Sequence, residues 1–165
     1  TVLLVTHESF EGHDTGAHHP ERPGRLMALR DGLVAHGLDE AVVELPAPLA
    51  PLESIERVHT QDMVERARDV CASGGHLDPD TVCVPASWEA SRRAAGAGLA
   101  AIQALDEGRH TTAFCAVRPP GHHATPVRSM GFCVFNNVAV AARALTARGE
   151  RVFIADIDAH HGNGT

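Results

Sequence analysis

Val152-Phe-Ile-Ala-Asp-Ile-Asp-Ala-His-His-Gly-Asn-Gly-Thr165 runs without a break from an apolar stretch into a cluster of metal-binding side chains. A short run such as Val152 to Ala155 predicts a buried strand of a parallel sheet, here spanning Arg151 to Asp156. In open α/β sheets, ligands sit just past the carboxyl ends of the strands. Asp156, Asp158, His160 and His161 fall there. Asp158 and His160 are two residues apart, so in extended chain they point the same way. A carboxylate and an imidazole aimed at one point suit a zinc ion. The plain alternative is an acidic turn after a strand.

Working back from this stretch, apolar runs at Val2–Thr6, Ala41–Leu45 and Thr112–Val117 predict further strands. Helices are predicted over Glu21–His36, with Leu26, Leu29, Leu33 and Val34 on one face, over Gln61–Ala72 and over Asn136–Ala147. Another is predicted over Ser87–Leu105, with Ser87 as its cap and an Ala/Gly content suited to close packing on a sheet. Segments 7–23, 46–51, 74–85 and 118–130 read as loops. Strands alternating with helices give an α/β domain built on a central parallel sheet with right-handed crossovers. The final strand has no helix after it to cover it. The expectation is therefore that residues 1–165 are the N-terminal part of a single domain that continues beyond Thr165.

The net charge is −7 with histidines neutral, which disfavours a nucleic acid as direct partner and mildly favours a basic substrate. Cys71, Cys83, Cys115 and Cys133 show no paired spacing, so they read as reduced thiols of a cytoplasmic protein. No secretory signal or membrane-spanning run is present. Twelve histidines include the adjacent pairs His18-His19, His122-His123 and His160-His161, and tyrosine is absent.

The pair His122-His123 lies in Arg118-Pro-Pro-Gly-His-His-Ala124, just after a predicted strand and so at a carboxyl edge. There one histidine can act as general base while its neighbour supplies charge. Two surface histidines in a Pro-rich turn are the competing reading. For the final stretch, an EF-hand loop needs glycine at its sixth position, where His161 stands. A two-metal site of the arginase type needs a carboxylate two residues after His160, where Gly162 stands, so one metal is favoured over two. Gly131-Phe-Cys-Val-Phe-Asn-Asn137 offers an aromatic beside a glycine, which suits either a channel wall or plain core. The segment from Gly12 to Arg25 reads as a rim loop or a solvated loop capping a helix.

RPPGHHA, GFCVFNNVAVAARAL and DIDAHHGNGT, in this order and spacing, resemble the zinc-dependent histone deacetylase superfamily. HHPERPGRL and LDPDT extend the resemblance over nearly the whole chain. The RPPGHHA and HHGNGT forms are similar to the class II and bacterial deacetylase-like amidohydrolase branch, a pattern that acetylpolyamine amidohydrolases share. The resemblance implies a three-layer arginase/deacetylase-type α/β fold, incomplete in this chain. It also implies a zinc-dependent amidohydrolase acting on N-acetylated lysine or a small acetylated polyamine. Asp158 and His160 resemble two of three zinc ligands, His123 the general base and His122 its electrostatic partner. Asp156 resembles the carboxylate that holds His122 and helps bind a structural K+, and Asn163 the partner of His123. Gly131 and Phe132 resemble the acyl-lysine tunnel, and Arg25 the arginine near the acetate exit.

The family's third ligand, an aspartate, and its oxyanion-donating tyrosine lie downstream of HHGNGT. Residues 1–165 alone are thus expected to be inactive, with His122, His123, Asp156 and Asp158 forming a buried polar cluster that lacks its partners. An arginase-like dimetal hydrolase and a catalytically dead binding module are the alternatives. A homo-oligomer is compatible with all of these readings.

Overall fold

A computed structural model describes residues 1–165. The chain alternates strands and helices: β1 (Val2–Thr6), α1 (Gly24–Ala35), β2 (Val42–Pro46), α2 (Leu52–Glu56), α3 (Gln61–Ser73), β3 (Gly75–His76), β4 (Val82–Cys83), α4 (Pro85–Asp106), β5 (Ala113–Cys115) and α5 (Asn137–Thr146). The main sheet is parallel, in the order β2-β1-β5, with Leu3 opposite both Val43 and Ala113. Strand β1 is apolar throughout and nearly fully buried, as the central strand of a covered parallel sheet should be.

Helix α4 covers one face. Its Ala90, Ala94, Ala97, Ala101 and Ala104 pack on Leu3 and Val5, small side chains that let the helix lie close to the strand. Phe114 alternates away from that face, is half exposed, and shares a cavity with Leu26 and Leu29 of α1. A second core lies behind α4, where Met63, Val64, Ala67 and Cys71 of α3 meet Phe135 and Val140. The ring of Phe135 takes Trp88 edge-on at 5.9 Å.

Several expectations need correction. The helix predicted from Glu21 begins at Gly24, and no residue of α1 is buried; Val34 is 63% exposed. The reason is that Glu21 is drawn out of the helix into a buried ion pair. Ser87 is not the cap of α4. Val84 is, Pro85 opens the first turn, and the Ser87 hydroxyl accepts from Val84 N at 2.9 Å. Segment 46–51 is followed by the five-residue helix α2, too short for helical periodicity to register. The segment read as loop from 74 to 85 contains the antiparallel pair β3-β4, too short for periodicity to register.

The largest correction concerns Arg151–Asp156. It is not a strand: it pairs with nothing in the sheet, and Phe153 and Ile157 are 90% and 96% exposed. A strand needs ladder partners and covered faces, and β5 is bonded only to β1.

Exposed Phe153, Ile154 and Ile157 form an adhesive surface. Residues 1–165 expressed alone are expected to self-associate, and Phe153→Ser with Ile157→Ser to reduce this. Light scattering against concentration checks it; a monodisperse monomer that the substitutions leave unchanged contradicts it.

Candidate active site

The loop after β5 and the segment 156–165 meet at the carboxyl edge of the sheet. His122 Nδ1 lies 2.8 Å from Asp156 Oδ2, and His123 Nδ1 lies 2.7 Å from Asn163 Oδ1. The two rings are stacked at 4.1 Å, tilted by 46°. Gly164 N donates to His122 O at 2.9 Å, fixing one segment on the other through the backbone. The Asn163 amide nitrogen donates to Met130 Sδ at 3.7 Å, so its oxygen faces the histidine. An amide oxygen only accepts, which makes His123 Nδ1 the protonated nitrogen and leaves Nε2 with its lone pair.

Asp158 and His160 are brought together as well, though not by strand alternation. Asp158 N donates to Asp156 Oδ1 at 3.0 Å and His160 N to Asp158 Oδ1 at 2.8 Å, a winding of successive side-chain-capped turns. His160 Nδ1 then lies 3.1 Å from Asp158 Oδ1, and its ring 6.2 Å from that of His123. Two donors of carboxylate and imidazole type converge, chemistry that fits part of a zinc site. No group of three or more His, Cys, Asp or Glu side chains suited to a metal forms within the chain. The cluster is more open than expected: Asp156, Asp158 and His160 are exposed, and the histidine pair is half-buried. The cause is the unpaired stretch 151–157, which leaves that side uncovered.

Both carboxylates are held in the ionised form. Asp156 is lowered from the usual carboxylate range by the hydrogen bond from His122. Asp158 is lowered mainly by the backbone amide of His160 and then by its ring. The Cys133 thiol lies just behind His123, within 3.5 Å of its backbone nitrogen; burial pushes it up to about 12, so it stays protonated and inert. All four cysteines are free, and Cys71 and Cys83 are buried in the same core.

A cavity of about 530 Å³ joins these groups: His122, His123, Asp158 and His160 meet Gly131 and Phe132 on one wall and Pro20, Arg25 and Leu29 on another. Gly131 and Phe132 both have positive φ, 58° and 68°. A Cβ on Gly131 would collide with the His123 ring, so glycine is required for the close approach. Gly162 is constrained similarly: a Cβ there would run into the Asp156 carboxylate that holds His122. Arg25 is exposed and lies at the α1 end of the cavity, away from any hydrogen-bond partner of the histidines.

Two supports were not legible beforehand. The first is Arg118, which is only 2% exposed. Its guanidinium donates to Glu21 Oε1 and Oε2 at 2.5 and 2.8 Å, to Phe10 O at 2.5 Å and to His13 O at 2.9 Å. Both charged residues stood in motifs singled out above, but nothing in the sequence paired them across 97 positions. The second is His59, a lone histidine. Its Nε2 accepts from Asn136 N at 2.9 Å and its Nδ1 donates to Thr125 O at 2.9 Å, behind the histidine loop. Asn136 in turn caps α5 through Ala139 N and donates to Ala124 O and Thr165 Oγ1.

The fold and this arrangement define an α/β domain with acid–base groups gathered at the carboxyl edge of its sheet. The chain belongs to the histone deacetylase family: the histone deacetylase domain matches it over residues 19–165. It is 38% identical to a probable deacetylase of Archaeoglobus fulgidus, over 98% of this chain and 46% of that protein. It is 41% identical to a histone deacetylase-like amidohydrolase of Pseudomonas aeruginosa, over 90% of this chain and 40% of that one. The human polyamine deacetylase HDAC10 is 38% identical over 87% of this chain and 23% of its own length. The crystal structure of the HDA15 HD domain superposes with a TM-score of 0.91 at 33% identity, over 99% of this chain and 49% of that one. The fold is thus the arginase/deacetylase-type α/β fold of the resemblance. The chain spans about half the length of the Archaeoglobus and Pseudomonas relatives. No helix in it is long and apolar enough to cross a membrane.

His59 gives a pH dependence of stability. Burial lowers it from its ordinary value of 6.5, against a smaller raising effect of the Thr125 carbonyl. It folds neutral, while the unfolded chain takes up a proton below about 6.5. Its contribution is complete above that pH and is lost as pH falls toward the folded-state value, at up to about 1.4 kcal/mol per pH unit. Urea unfolding of the intact protein between pH 7.5 and 5 is expected to show a shallower slope for His59→Gln than for wild type. Equal slopes contradict the assignment.

Proposed function

We propose that the protein to which this chain belongs is a zinc-dependent deacetylase. It hydrolyses the amide of an N-acetylated amine, either acetyl-lysine in protein or a small acetylated polyamine, and residues 1–165 form the N-terminal part of its single catalytic domain. The observation that carries this reading is the meeting of two hydrogen-bonded imidazoles, His122–Asp156 and His123–Asn163, with Asp158 and His160 in one cavity.

In this mechanism Asp158 and His160 would hold the zinc ion together with a ligand from outside this chain. When bound, zinc supplies Lewis-acid polarisation of the acetyl carbonyl and acidification of water. Phe132 and Gly131 line the wall along which the apolar stem of the amine lies. His123 is the general base: with Nδ1 committed to Asn163, Nε2 is free to take a proton from the attacking water. It returns that proton to the amine nitrogen as the amide C–N bond breaks, leaving acetate and free amine. His122 supports this step electrostatically, its Nδ1–H held by ionised Asp156. The long side chains of lysine and polyamines both match such a wall, and an acidic protein with net charge −7 suits cationic substrates of either kind.

The roles separate by experiment in the intact protein. His123→Ala is expected to lower kcat by about 10²–10⁴-fold, the usual worth of general-base catalysis, with zinc content unchanged. His160→Ala is expected to lose the metal itself. Turnover by fluorescence and zinc by elemental analysis read the two effects. Equal loss of zinc in both variants would overturn the division of roles.

A further inference from the structure

Between Glu11 and Pro23 the chain forms neither helix nor strand, yet it supplies a wall of the cavity through Pro20 and Glu21. It also carries His19, whose ring meets that of Phe132 edge-on at 4.7 Å. The backbone hydrogen bonds of this loop are local, such as Asp14 N to Gly12 O and His19 N to Gly16 O. Local bonds shape a loop but do not place it. Three attachments place it: His13 Nδ1 with Ser87 Oγ at 2.7 Å, His19 Nε2 with Asp80 O at 3.2 Å, and the buried Arg118 guanidinium with the Glu21 carboxylate and the carbonyls of Phe10 and His13.

The third attachment is the strongest by chemistry. Four charge-assisted bonds in a fork geometry, with both side chains only 3% exposed, leave the ion pair no competing water. On the other side of Arg118, the histidine loop has anchors of its own. Thr6 Oγ1 donates to Ala116 O at 2.9 Å, Asn137 Nδ2 to Pro119 O at 3.1 Å, and Gly164 N to His122 O at 2.9 Å. Cutting the Arg118–Glu21 pair therefore releases the cavity wall and leaves the histidines in place.

We infer that Arg118 and Glu21 are positioning residues: a buried latch that seats the loop 11–23 against Phe132 and so sets how tightly the acetylated amine is held, without taking part in proton transfer. This rests on the deacetylase reading for the identity of the substrate. The latch itself is readable without turnover. The reaction is unchanged; what changes is the binding of the part of the substrate that lies against Pro20 and Phe132.

The test uses the intact, zinc-loaded protein. Glu21→Gln keeps the shape but removes the charge. It is expected to raise KM for an acetyl-lysine peptide or an N-acetylpolyamine by about tenfold, the worth of one charge-assisted hydrogen bond. The value of kcat should stay within about threefold, because the step that fixes it needs no contact from this loop. Zinc content should be unchanged. Amide hydrogen exchange read by mass spectrometry should quicken in peptides covering 11–22 and hold its rate in those covering 119–125. Should Glu21→Gln fold poorly, Arg118→Lys preserves the charge but not the fork, and the same pattern is expected at smaller size. Unchanged exchange at 11–22 in both variants overturns the latch. So does a fall in kcat with KM unchanged, or exchange that quickens equally at 119–125. If the wild-type protein has no deacetylase activity, the functional reading fails, and the exchange pattern still decides the latch.

Discussion

The site depends on two stretches of backbone that share no sheet ladder yet must meet at one point. Segment 151–165 is held by hydrogen bonds to the histidine loop and its neighbours: Asp156 with His122, Asn163 with His123, Gly164 N with His122 O, and Asn136 with Thr165. These bonds do two things at once. They tether a segment that the sheet does not pair, and they set the orientation and tautomer of both imidazoles. The side chains that organise the acid–base groups are thus the ones that hold the segment in place, so loosening one loosens the other.

What surrounds this point is graded by burial. Arg118, Glu21, His13 and His59 lie inside, and each polar atom there needs a partner because water is absent. Burial alone would raise the Glu21 carboxyl; the hydrogen bonds from His13 and Arg118 outweigh it and hold it below its ordinary range. Asp156, Asp158 and His160 lie outside, where their attraction is screened and geometry rather than Coulomb energy brings them together. The interior network is therefore the rigid part, and the outer cluster is positioned on it.

Much of this was legible in the sequence. The alternation of apolar runs with helical periodicity gave the parallel sheet, and β1, α3, α4 and α5 lie close to where periodicity placed them. The histidine pair and Asp156, Asp158 and His160 were legible because they followed apolar runs, while Asn163 and the pairings were implied only by the family resemblance; the structure brings all six together. The reading failed where local pattern and long-range demand disagree. Val152–Ala155 has a strand's composition, but composition supplies no ladder partner, and the segment is unpaired and largely exposed. Glu21 reads as a helix-opening residue until Arg118, 97 positions away, claims it. His59 carries no local signal because its two partners, Thr125 and Asn136, come from a distant loop.

The most direct test is product analysis by the intact protein. With zinc, an N-acetylated lysine peptide or polyamine should yield acetate and free amine in equal amounts; chelation should abolish this and added zinc restore it. Release of urea from a guanidino compound, or no acetate from either substrate under zinc loading, would contradict the account.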